Sequence, residues 1–96
     1  MYATVRRYEG VTDPRETARQ VNEGFVPLIK QVPGFVAFYL VDAGSNVVVS
    51  TSIFQTQAGA EESNRRAAEY VRQKMVRLLP NPPQISAGEV VADQAM

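Results

Sequence analysis

Few side chains in this sequence are equipped for chemistry, and Asn64 is the sharpest of them. It falls in phase with Ala60, Ala67, Ala68, Val71 and Met75, an apolar stripe at helical spacing, so its amide lies on or beside the buried side of a helix. Burying an unpaired amide costs about 1–3 kcal/mol, so a polar residue held there has a partner. That partner is either a substrate carbonyl or phenolate oxygen, or a neighbouring loop or water. Arg6 and Arg7 stand in the strand-like run YATVRRYE, and alternation puts Arg6 with Tyr2, Thr4 and Tyr8 on one face. Arg6 reads either as a clamp for an anion or phenolate beside Tyr8, or as half of an ion pair. For the pair, Glu89 is the carboxylate that an antiparallel neighbour would bring to Arg6 or Arg7. Tyr39, Ser50, Ser52 and Phe54 are expected to line or border a cavity. No His or Asp stands near either serine in sequence, so their small side chains leave space rather than attack.

The totals narrow the chemistry further. The 96 residues include no His and no Cys, which removes the usual general base, the usual haem and zinc ligand, thiolate chemistry and disulfides. No metal site and no cofactor is expected. Ten basic and ten acidic residues cancel, so no overall field attracts nucleic acid or anionic membrane. Arg65, Arg66, Arg72, Lys74 and Arg77 give one helix a basic side, but without interleaved aromatics, and Glu61 and Glu62 offer Arg65 and Arg66 partners four residues on. The glycines match neither a P-loop nor a dinucleotide fingerprint. There is neither a signal-peptide pattern nor an apolar run of about 18 residues, so a cytoplasmic protein without a membrane partner is expected.

These residues need elements to position them. The first strand runs from Tyr2 to Glu9 and is closed by Gly10. Asp13-Pro14-Arg15-Glu16 reads as a helix start, with a capping carboxylate, Pro at the first helical position and Glu16 placed for a capping box. The helix runs to about Gln31, with a kink or break expected at residues 23–27 because Pro27 cannot donate to the carbonyl of Glu23. Pro33-Gly34 turns the chain into a second strand, Phe35 to Val41, apolar on both faces. Residues 42–46 form a turn, giving a hairpin with the third strand, Val47 to Phe54. Val47, Val49, Thr51 and Ile53 form the face expected to pack under helices. Val48, Ser50, Ser52 and Phe54 form the other, suited to a shallow polar cavity or a subunit contact. Thr56 caps a second helix ending near Leu79. Pro80-Asn81-Pro82-Pro83 is a stiff connector, Gln84 to Ala92 a fourth strand, and residues 93–96 a frayed tail.

The order β-α-β-β-α-β in one domain, residues 1–96, predicts an α+β, ferredoxin-like fold. Right-handed crossovers give a four-stranded antiparallel sheet in the order 4-1-3-2 with both helices on one face. The other face carries apolar and hydroxyl side chains, and no further element is left to cover it. A homodimer, with two sheets facing across a two-fold axis, is the expected solution.

The pattern resembles the antibiotic biosynthesis monooxygenase-like family of the dimeric α/β-barrel superfamily. The resemblance spans nearly the whole chain. It rests on the element order, on Pro33-Gly34-Phe35 entering strand two, on the hydroxyl-lined third strand ending in Phe54, on the long helix after it, on the proline-rich connector and on Gly88-Glu89-Val90-Val91. It implies a small homodimer that oxidises activated phenolic or anthrone-type substrates with molecular oxygen, without flavin, metal or haem. It also implies that Asn64 occupies the helix position of the family's active-site Asn. The Trp that often follows one turn later is Ala68 here, the acidic residue common two before the strand-ending aromatic is Ser52, and the frequent helix His is missing. Relatives that degrade haem bind its iron, for which this chain has no imidazole.

Two functions therefore follow from the sequence. One is a cofactor-independent monooxygenase-like protein whose Asn64 and Arg6 hold a small ionisable aromatic substrate between sheet and helices, with Tyr8, Tyr39, Ser50, Ser52 and Phe54 contributing to its binding. The other is a non-catalytic dimeric barrel that binds a small ligand or serves a structural role.

Overall fold

The computed structural model describes residues 1–95. Strand β1 is Tyr2–Tyr8, β2 Phe35–Gly44, β3 Val47–Phe54 and β4 Gln84–Glu89. They form one antiparallel sheet in the order β2-β3-β1-β4, the expected order, with β1 and β3 central. Helical segments fill both crossovers, which makes the α+β, ferredoxin-like arrangement.

The first crossover starts as predicted. The Asp13 side chain accepts the Glu16 amide at 3.1 Å and Pro14 opens α1 (Pro14–Gln20). The Glu16 carboxylate turns forward to Arg19 and Gln20 instead of back to the cap. The expected kink takes the form of a π-helical turn, Val21–Phe25, after which α2 (Val26–Ile29) finishes the crossover. The Val26 amide reaches back five residues to the Val21 carbonyl. Pro27, directly after this turn, has no amide to donate, so the regular i to i−4 ladder is interrupted here. The second crossover is α3 (Gln57–Tyr70), capped by Thr56, whose hydroxyl accepts the Gly59 amide at 3.1 Å. It too widens into a π-helical turn, Val71–Met75.

Some boundaries shift. β2 extends to Gly44, because the hairpin needs only Ser45 and Asn46, both at positive φ (53° and 60°), as its turn. β4 ends at Glu89, short of the expected Ala92. Of the tail expected over residues 93–96, Met96 lies outside the described residues.

The two faces of β3 are the reverse of the sequence expectation. Val48, Ser50, Ser52 and Phe54 are buried beneath the helices, while Val47, Val49, Thr51 and Ile53 are half-buried on the open side. The cause lies in β1. Register sets Arg6 beside Ser50 and Thr4 beside Ser52, so the helix-covered face must hold a guanidinium and three hydroxyls. Small polar neighbours on β3 leave it room, which branched aliphatics would not. The apolar core closes around this strip, with Phe25, Ile29, Val48, Phe54, Ala67 and Met75 all buried. Phe35 joins it edge-on to Phe54, at 5.8 Å between ring centres. A register shift between Phe35 and Ala37 allows this and then sends Ala37 and Tyr39 to the open face.

Candidate functional site

The site begins with a buried cation. Arg6 is 2% exposed, at the middle of a central strand. Its Nη1 donates to Asn64 Oδ1 at 2.6 Å, and its Nη2 reaches Ser52 Oγ at 3.4 Å. Thr4 Oγ1 donates to the same Asn64 oxygen at 3.0 Å. The guanidinium carbon lies 5.9 Å from the Phe25 ring centre, over its face. No carboxylate pairs with Arg6 among the described residues. The anticipated partner, Glu89, stands in register with Tyr2, four residues along β1 from Arg6, whose own neighbour on β4 is Ile85. Arg7, on the opposite face, pairs instead with Glu9 at 3.3 Å, both largely exposed.

Burial governs the electrostatics here. It lowers the Arg6 guanidinium from its ordinary value, with Tyr8 beside it opposing the change. It raises the Tyr8 phenol, with Arg6 opposing that in turn. An arginine stays protonated through such shifts, so a full positive charge is held under the helices, answered only by neutral oxygens and aromatic faces. Leaving a charge so weakly compensated is costly, and an anionic ligand would relieve it.

Arg6, Tyr8 and Asn64 open together into a cleft of about 310 Å³ between α3, the proline connector and β4. Its walls are apolar: Val71, Val76, Leu79, Ile85 and the connector prolines. Arg6 and Tyr8 also border a smaller inner cavity of about 30 Å³, where Ser50 Oγ is buried without a hydrogen-bond partner.

Of the residues singled out from sequence, Asn64, Arg6 and Tyr8 come together at the cleft. Ser52 lies behind Arg6 as its hydrogen-bond partner, and Ser50 borders the inner cavity. Phe54 belongs to the core and lines neither space. Tyr39 stands on the open sheet face, 60% exposed, opposite Thr51 and away from the cleft. The sequence reading overlooked Thr4, Arg72 and the connector as parts of the site. Thr4 was legible in principle, two residues before Arg6 on the same face of one strand. Arg72 and the prolines become neighbours of Arg6 only through the second crossover. Among the described residues, no group of three or more His, Cys, Asp or Glu side chains comes together to hold a metal.

Neither a protein-family model nor a curated protein matches the sequence. Solved structures do match. A protein of unknown function from Nitrosomonas europaea superposes with a TM-score of 0.76 at 21% identity, covering 99% of this chain and 93% of that one. The ActVA-Orf6 monooxygenase of Streptomyces coelicolor, solved with nanaomycin D, gives 0.75 at 18% identity over 99% and 91% of the two chains. An antibiotic biosynthesis monooxygenase gives 0.69 at 12% identity over 96% of this chain and all (100%) of that one. The resemblance drawn from the sequence is thus met in three dimensions: end to end, this chain has the fold of structures that carry the antibiotic biosynthesis monooxygenase name.

Proposed function

We propose that this protein is a cofactor-independent, monooxygenase-like homodimer that takes a small ionisable aromatic substrate into the cleft at Arg6 and Asn64. One observation carries the reading: a buried guanidinium without a carboxylate partner faces a largely apolar cleft of substrate size. Such a site favours the ionised form of a phenol or enol, because the nearby charge lowers its pKa. Asn64 spends its oxygen on Arg6 and Thr4, which leaves its Nδ2 as a further donor to the substrate. The likeness to a monooxygenase solved with nanaomycin D supports an aromatic ligand in this fold.

The reaction needs no external reductant. An ionised anthrone-type substrate passes an electron to dioxygen, the radical pair joins at the ring methylene carbon, and loss of water from the hydroperoxide leaves a ketone. All four electrons taken up by oxygen come from the CH₂ group, and its second oxygen atom leaves as water. The protein's part is to hold the anion, exclude water from the reacting carbon and orient it.

A second reading has an observation of its own. The Asn64 oxygen is already shared between Arg6 and Thr4, as in a purely structural network that ties a helix to a strand. On that reading the protein is a non-catalytic barrel. Oxygen uptake with anthrone separates the two. The enzyme takes up oxygen, and uptake falls at least tenfold in Asn64→Ala while the dimer persists. Uptake unchanged in that variant removes Asn64 from the mechanism, and no uptake with anthrone or a hydroquinone favours the non-catalytic barrel.

The dimer follows from the open sheet face. Ala3, Val5, Val49 and Ile53 lie there with Tyr39 and Val41, the last two 60% and 52% exposed, and with Thr51 and, towards the end of β1, Arg7. A contiguous apolar surface on a sheet is covered in stable proteins, and a second copy of the sheet is a self-complementary cover. No helix among the described residues is long and apolar enough to cross a membrane, and we place the protein in the cytoplasm.

A further inference from the structure

The cleft holds a second cation that the proposed function does not use. Arg72 lines it from the α3 side, at the exposed mouth, while Arg6 lines its buried floor. No Asp or Glu lines the cleft. Elsewhere Arg7 pairs with Glu9, Arg19 with Glu16 and Glu23, and Arg65 and Arg66 with Glu62, while Arg15 and Arg77, outside the cleft, are in no ion pair among the described residues. Glu69, one helical turn before Arg72, is the obvious local partner, yet it accepts a hydrogen bond from Gln73 at 3.1 Å instead. Among the described residues Arg72 is in no ion pair. Two unpaired cations thus stand at the floor and the mouth of one cleft, with an apolar wall of Val71, Leu79, Ile85 and prolines between them.

We propose that the ligand of this cleft is an aromatic acid carrying two anionic groups, an ionised ring oxygen held by Arg6 and a carboxylate held by Arg72. This rests on the proposed function for the ring oxygen and goes beyond it in the carboxylate. The order of the two groups follows from hydration. A carboxylate is costly to strip of water, so it belongs at the exposed mouth, where a guanidinium can take both its oxygens while water remains near. A phenolate spreads its charge into the ring and tolerates the drier floor beside Phe25 and Tyr8. The planar ring body lies against the aliphatic wall between the two charges. Arg72 is then a specificity-determining residue: it selects acids over the parent phenols and acts before any chemistry.

The test compares two probes that differ only in the carboxylate, 2-naphthol and 6-hydroxy-2-naphthoate, by calorimetry on the intact protein at low salt. The hydroxynaphthoate is expected to bind at least tenfold tighter than 2-naphthol. That ratio falls to near one in Arg72→Gln, and it is retained in Arg77→Gln, a control on the same helical crossover outside the cleft. Equal binding of the two probes by the unaltered protein overturns the inference and leaves the proposed function standing. A preference that survives Arg72→Gln overturns it as well. Binding of neither probe overturns both.

Discussion

Arg6 Nη1 donates to Asn64 Oδ1 at 2.6 Å, a bond between positions 58 residues apart that joins the central strand β1 to the middle of α3. It fixes the buried cation at the floor of the cleft and commits the Asn64 amide to one orientation. Because an amide is neutral, the bond leaves the positive charge available to a ligand. A carboxylate in the same place would neutralise it.

Asn64→Asp tests this division of labour. The aspartate takes over both hydrogen bonds and adds a charge-assisted pair with Arg6, contributing about 2 kcal/mol to stability. The unfolding midpoint is expected to rise, while affinity for ionised phenols such as 2-naphthol at high pH falls at least tenfold. Parallel chemical denaturation and calorimetry check this. A variant that is stabilised and still binds phenolates equally well would show that Arg6 is not the anchor.

Gly59 offers a packing test at the start of α3. A Cβ there would meet Phe54 Cδ1 and the backbone carbonyl of Pro33, each at 3.0 Å. Alanine favours a helix over glycine by about 1 kcal/mol, but overpacking a tight site costs about 1–3 kcal/mol. The carbonyl belongs to the turn that aims β2 and cannot swing aside as a long side chain can. Gly59→Ala is expected to lower stability in urea denaturation despite its better helix propensity.

The α1 ion pairs predict a pH dependence with a definite sign. Hydrogen bonds from Arg19, and then from Gln20, lower the Glu16 carboxyl from 4.5 to about 2. A depressed carboxyl pKa contributes stability above the unfolded value, and that contribution is lost as pH falls through the folded one. Stability should therefore decline between about pH 4.5 and pH 2, and less steeply in Glu16→Gln. Because the group is exposed, added salt should shrink the difference. Thermal melts across that range at two salt concentrations are the measurement.

The open sheet face predicts the assembly. Val49 lies opposite Arg7 in the β1–β3 register, so Val49→Glu finds a local cation within one protomer. Across two facing sheets, the same substitution places charge in an apolar interface. Sedimentation should show twice the 10.6 kDa protomer mass for the natural sequence and the protomer alone for the variant. A natural protein at 10.6 kDa would mean that this face is left to solvent.

Much of this architecture is local, and so was legible in the chain. Asp13 and Thr56 act as caps because a side-chain oxygen meets an amide three residues on, a relation that needs no tertiary partner. Pro27 disturbs its helix through its own missing donor. The element order, with the handedness of its crossovers, yields β2-β3-β1-β4. The grouping of Arg6 with Thr4 and Tyr8 on one strand face, and of Asn64 with the apolar stripe of its helix, follows from periods of two and 3.6 residues.

What periodicity cannot supply is which face of a strand is inward, and there the three-dimensional fold decided. Alternation sorted Val49 from Ser50 but carried no sign, and hydrophobicity pointed the wrong way, towards the valines. The register between β1 and β3 reversed it by setting Ser50 and Ser52 against Arg6 and Thr4, residues more than 40 positions away. The β1–β4 register, also long-range, left Glu89 opposite Tyr2, and the shift after Phe35 carried Tyr39 to the far side of the sheet. Strand composition records how well a side chain tolerates burial. Only the assembled sheet determines which residues share one buried strip, because that depends on pairings between distant segments.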